Sequence, residues 1–124
     1  MAEKIVRLPG EDHPITIEPN SSRIRVILRG KVLADSRNAL TLNEAQYPPV
    51  QYIPRADVDM TMLTRSDLVT YCPFKGDCSY FDISVGGEGT ENAVWTYEAP
   101  YPAVSPIKDC LAFYPDRVSI SEIP

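Results

Sequence analysis

The sequence has 124 residues, with 12 lysines and arginines against 17 aspartates and glutamates, for a formal charge of −5; one domain with its own core is expected at this length. The acidic balance, with no Lys/Arg stripe, argues against a nucleic-acid partner, and the single histidine, His13, deprives Ser-His-Asp, Cys-His and multi-histidine metal sites of their usual base or ligand. No apolar run nears the roughly 20 residues of a spanning helix, and Met1-Ala2-Glu3-Lys4 lacks the apolar heart of a signal peptide, so a soluble cytoplasmic protein with no membrane partner is expected.

Twelve prolines and six glycines are scattered along the chain and punctuate many short strands. Ile24, Val26 and Leu28 alternate with Arg23, Arg25 and Arg29, a strand with one buried face and its arginines in water. Arg29-Gly30 then turns the chain into Lys31 to Ala34 as a hairpin. Leu40 and Leu42 repeat the alternation, and after Pro48-Pro49 a short strand runs from Val50 to Ile53. Pro54-Arg55-Ala56-Asp57 reads as one helical turn, and Val58, Met60 and Met62 as another strand. Val69 to Phe74 leads into the turn Pro73-Phe74-Lys75-Gly76, and Phe81, Ile83 and Val85 mark the inner face of a long strand. Gly86-Gly87-Glu88-Gly89 closes the next hairpin; Ala93, Trp95 and Tyr97 share one face of the return. Ser105-Pro106 starts a short helix to about Cys110, and Val118 and Ile120 lie on a last strand. Nine or ten short strands with one or two helical turns predict a mainly β, antiparallel barrel or sandwich.

Four segments together, RVILRGKVLADS (Arg25 to Ser36), YPPVQYIPRADV (Tyr47 to Val58), TYCPFKGDCSY (Thr70 to Tyr80) and NAVWTYEAPYPAVSPIKDCLAFYPD (Asn92 to Asp116), resemble domain-of-unknown-function family 427. The resemblance runs from about His13 to about Val118 and is most specific at Tyr71 to Gly76. It implies a mostly antiparallel domain allied to β-tent proteins, and a nucleotidyltransferase label sometimes attached to the family. A small residue is usual in the family where this chain has Cys78, so any role for a Cys72/Cys78 pair belongs to this chain alone.

Nucleotidyl transfer needs carboxylates for magnesium and a cradle of backbone N–H groups for phosphate. Asp57 and Asp59, two apart, either hold one ion or form a solvated strand face, the reading preferred here; Gly86 to Gly89 lacks the P-loop lysine and following helix and reads as a hairpin turn. Cys72 lies three residues before Lys75, so the turn can bring an ammonium to the sulfur and activate it, or the thiol is simply buried. Cys78 lies across the same turn, close enough in sequence for a cross-strand pair, while Cys-x5-Cys is poor zinc spacing; no metal or cofactor is implied. Seven tyrosines against three phenylalanines suggest an aromatic pocket with polar tips, or half-buried tyrosines capping a small core. Arg55 receives an anionic ligand group or pairs with Asp57 or Asp59. His13 reaches such a site only if the start of the chain folds back. The leading expectation is a pocket for a small anionic or polar ligand, lined by Tyr71, Cys72, Lys75, Tyr80, Trp95 and Tyr97 with Arg55 at its edge. One alternative is an enzyme with Cys72 as nucleophile or Lys75 as acid or base. Another is an interaction module, most simply a homodimer, docking through Tyr47 to Pro54 and Tyr97 to Pro102.

Overall fold

The computed structural model describes residues 4–85 and 90–124, so the expected Gly86 to Gly89 turn lies outside the described residues. Among the described residues ten strands form in chain order: β1 (Ile15–Asn20), β2 (Arg23–Leu28), β3 (Lys31–Ser36), β4 (Ala39–Glu44), β5 (Val50–Tyr52), β6 (Leu63–Cys72), β7 (Gly76–Ile83), β8 (Val94–Thr96), β9 (Leu111–Phe113) and β10 (Ser119–Ile123). They pair antiparallel into three sheets, β1-β4-β5, β10-β2-β3 and β6-β7-β8-β9.

The period-2 pattern explains how these sheets stack. Along β7, Phe81 and Ile83 point into one apolar cluster while Cys78 and Tyr80 join another on the opposite face. The neighbouring strands divide the same way, Val94, Leu111 and Phe113 to one side, Trp95 and Ala112 to the other. The first cluster is completed by Ile24, Val26 and Leu33 from β2 and β3; the second by Leu42 and Tyr52 from β4 and β5, with Val104 and Ile107. The four-stranded sheet is therefore covered on both faces, a mainly β, sandwich-like arrangement that does not close into a barrel. The β2–β3 hairpin turns through Arg29 and Gly30, both at positive φ (49° and 77°), which suits the twist of a two-residue turn. On its outer face Arg23 holds Asp35 with two hydrogen bonds of 2.8 and 2.6 Å.

Several expectations are corrected. Val58 makes only an isolated bridge to Ala34, and Met60–Met62 is a 3-10 turn, because the Asp59 carboxylate accepts from the Thr61 N–H and offers the backbone an alternative to extension. The following strand begins at Leu63 instead of Val69; its residues are mostly exposed or half-buried, so no strict alternation marks it. Val85 lies beyond the end of β7, though it packs on the first cluster, and Ala93 belongs to that cluster, not to the face of Trp95 and Tyr97. The segment near Ser105 is a 3-10 stretch, Pro102–Ile107, interrupted at Val104, and Ser105 does not cap it. Strand β1, unanticipated, is an edge strand that tolerates Pro19. Among the described residues no helix is long and apolar enough to cross a membrane.

The turn between β6 and β7 depends on Gly76, which sits at φ +106°; a Cβ there would also lie 3.4 Å from the Ala99 carbonyl oxygen. Gly76→Ala is expected to cost about 1–3 kcal/mol through backbone strain, read as a lower denaturation midpoint with an unchanged denaturant slope; a variant as stable as the wild type contradicts this.

Candidate functional site

This tight turn folds Lys75 inward. Its N–H donates to the Cys72 carbonyl at 3.2 Å, its own carbonyl accepts from the Tyr101 N–H at 3.0 Å, and the residue is only 6% exposed. An ammonium so placed must be paired. Its partner comes from β4, where Leu40, Leu42 and Glu44 share one face of the alternating strand; Lys75 Nζ donates to Glu44 Oε1. The other carboxylate oxygen meets His13 Nε2 at 2.7 Å. A carboxylate only accepts, so Nε2 carries the hydrogen. His13 is brought there because the start of the chain does fold back: the Arg7 N–H donates to the Pro73 carbonyl at 2.9 Å, the Ala45 N–H to the Pro14 carbonyl at 2.8 Å, and the imidazole stacks on Phe74 with centroids 3.9 Å apart. Burial pushes the Glu44 carboxyl up, but the hydrogen bonds from Lys75 and His13 outweigh it and hold it below its usual value.

Above this ion pair opens a cleft of about 380 Å³ walled by Tyr52, Tyr80, Trp95, Tyr97 and Tyr114. Strand register builds it: Tyr80 faces Trp95 across β7 and β8, and the small Ala112 stands beyond Trp95 on β9. Trp95 Nε1 donates to the Tyr52 hydroxyl at 3.1 Å, and Tyr114 packs on the indole with centroids 4.5 Å apart. Burial pushes the Tyr52, Tyr80 and Tyr97 phenols well up, so they remain neutral groups that donate and accept hydrogen bonds. Next to the cleft lies a second hollow of about 430 Å³, and Tyr47, Pro48, Val50 and Trp95 line both.

Of the residues singled out from sequence, Lys75, Tyr80, Trp95 and Tyr97 meet in this cleft, with Cys72 Sγ 3.9 Å from Lys75 Nζ. Two are not brought there. The Tyr71 hydroxyl donates to the Ile5 carbonyl at 2.5 Å and lies 2.7 Å from the Tyr101 hydroxyl. Arg55 lies against the other face of the sheet, where Thr96 points away from Trp95. There it donates to Thr96 Oγ1 (3.2 Å), Glu98 (3.1 Å) and the Asp109 carbonyl (3.0 Å), and its ion-pair partner is Glu98 instead of Asp57 or Asp59. Asp57 accepts from Ser36 and Asp59 from Thr61 at separate 3-10 turns, so the expected shared strand face does not form. All three cysteines are free; Thr70 stands opposite Cys78 and Gly76 opposite Cys72, and burial raises the Cys78 and Cys110 thiols. Among the described residues no three His, Cys, Asp or Glu side chains gather as metal ligands. The expected pocket left out Glu44, Tyr52 and Tyr114, and admitted His13 only if the start of the chain folded back, as it does. Continuing the Leu40-Leu42 alternation by two would have placed Glu44 on the inner face, whereas nothing local marks His13.

The family model described as "Domain of unknown function (DUF427)" matches residues 16–123. No curated protein matches the chain.

A carboxyl whose native pKa is depressed contributes stability that is full above its unfolded value, here near 4.5, and is lost as pH falls through the native value. Glu44→Gln should therefore lower the melting temperature most at neutral pH, and the gap to wild type should close as pH falls below 4.5 and on through the lower native value, where Glu44 protonates; acid sensitivity from Asp35 and Glu98, also depressed by their arginines, remains in both proteins. A gap that does not change with pH contradicts this.

Proposed function

The chain belongs to the DUF427 family, a domain of unknown function, and from the cleft we propose that it binds a small polar molecule carrying a ring whose face packs on aromatic side chains. The observation that carries the reading is the convergence of one tryptophan and five tyrosines over a buried, salt-bridged lysine in a concave space of about 380 Å³. Pockets of this kind combine apolar ring faces with a few fixed polar groups. Trp95 and Tyr114 offer faces for stacking, the tyrosine hydroxyls offer donors and acceptors, and Lys75 and Glu44 supply one of each charge. Because Glu44 already neutralises Lys75, a neutral polar ligand fits better than a strongly anionic one. Tyr52 and Tyr97 are buried rather than laid out as a flat patch, which favours a ligand cleft over a docking face or homodimer contact.

A thiol-dependent reaction at Cys72 is the second reading, supported by the Lys75 ammonium 3.9 Å from its sulfur. The pairing of that ammonium with Glu44 places the binding reading first.

Trp95 is the one tryptophan of the sequence, so its emission reports the cleft directly. Titration with a panel of sugars, nucleosides and their phosphates should give a saturable emission change and a raised melting temperature for at least one compound. Tyr114→Ala should weaken that binding about three- to tenfold by removing the stacked ring. No response from any compound, or full affinity in Tyr114→Ala, contradicts the reading.

A further inference from the structure

The hollow beside the tyrosine cleft has the opposite chemistry. Val26, Ile53, Phe113, Pro115 and Ile120 line its inner and outer walls. Its one amide side chain, Gln51, has its oxygen engaged, with Oε1 accepting from Thr41 Oγ1 at 2.9 Å and Asn20 Nδ2 at 3.1 Å. Water inside such a space finds few hydrogen-bonding partners, so an apolar group displaces it favourably. The two spaces are not separate pockets. Trp95, Val50, Pro48 and the largely exposed Tyr47 belong to both walls, so a ligand that stacks in the cleft lies within reach of the hollow.

We infer that the ligand is amphipathic: its polar ring occupies the tyrosine cleft over Lys75 and Glu44, and an alkyl or aryl tail continues past Trp95 into the apolar hollow. This rests on the cleft being a ligand site, and it adds the chemical class of the ligand. At about 430 Å³ the hollow is of ligand-pocket size and takes a tail of several carbons. Ile120 lies on the edge strand β10, paired with Val26 and 37% exposed, so the tail enters beside a side chain whose replacement leaves the clusters intact.

The test uses the full chain and n-alkyl glucosides of increasing length, each below its micelle concentration, followed by Trp95 emission and calorimetry, with glucose and the matching n-alcohols as controls. Affinity is expected to rise about three- to fourfold per methylene and then level off once the hollow is full, with glucose and alcohol each binding more weakly than the joined molecule. In Ile120→Arg the chain-length gradient should flatten while the shortest glucoside binds as in wild type and the melting temperature is unchanged. Glucosides that bind with no dependence on length overturn the tail and leave the polar-cleft reading standing. Alcohols that bind as tightly as their glucosides overturn the amphipathic assignment by removing the head. Absence of binding by every member of the series overturns it as well, and the metabolite panel then decides the cleft on its own.

Discussion

Taking a lysine ammonium out of water costs several kcal/mol unless an anion meets it with good geometry, and Lys75, with its side chain 8% exposed, lies under that constraint. Glu44 meets it with a carboxylate that is itself only 15% exposed, and His13 takes the second oxygen. Three distant parts of the chain are thereby tied to one point: the start of the chain, the end of β4 and the β6–β7 turn. The arrangement needs a glycine at position 76 to complete the turn and an inward-facing end to β4 to present the acid.

The sheets supply the rest of the site with little irregularity. Because side chains alternate across a strand, β7, β8 and β9 send one set to the cluster shared with β2 and β3 and the other to the cluster shared with β4 and β5. The second cluster is where aromatic rings stand at its solvent side, so the cleft is the unfilled margin of a core. Trp95 is held there by donating to the Tyr52 hydroxyl and by packing against Tyr114. On the opposite face, Arg55 and Arg65 both grip Glu98, a structural network that holds Arg55 away from the cleft.

The period-2 signal made most of the fold legible. Ile24 and Val26, Leu40 and Leu42, and Phe81 and Ile83 all face inward as their alternation requires. What alternation cannot reveal is pairing with a distant segment. Lys75, Tyr80, Trp95 and Tyr97 were recognisable because they cluster in two short stretches, yet the acid that neutralises the lysine is 31 positions away, as is the imidazole from that acid. Arg55 was misplaced because its nearest acids in sequence, Asp57 and Asp59, are occupied by Ser36 and Thr61, whereas Glu98 reaches it only after β8 is in place. Met60 and Met62 obey the strand pattern, but a capping carboxylate at Asp59 decided their backbone.

Lys75 and Glu44 act as one unit at the floor of the cleft. A double-mutant cycle with Lys75→Met, Glu44→Gln and the pair, read by chemical denaturation at neutral pH, tests this most directly. Each single change should cost about 3 kcal/mol, because it strands a buried charge or polar group, and the double change should cost little more than either alone. Single costs that are small and simply add would contradict the account, for the two side chains would then be independent and the cleft would have no ionic floor.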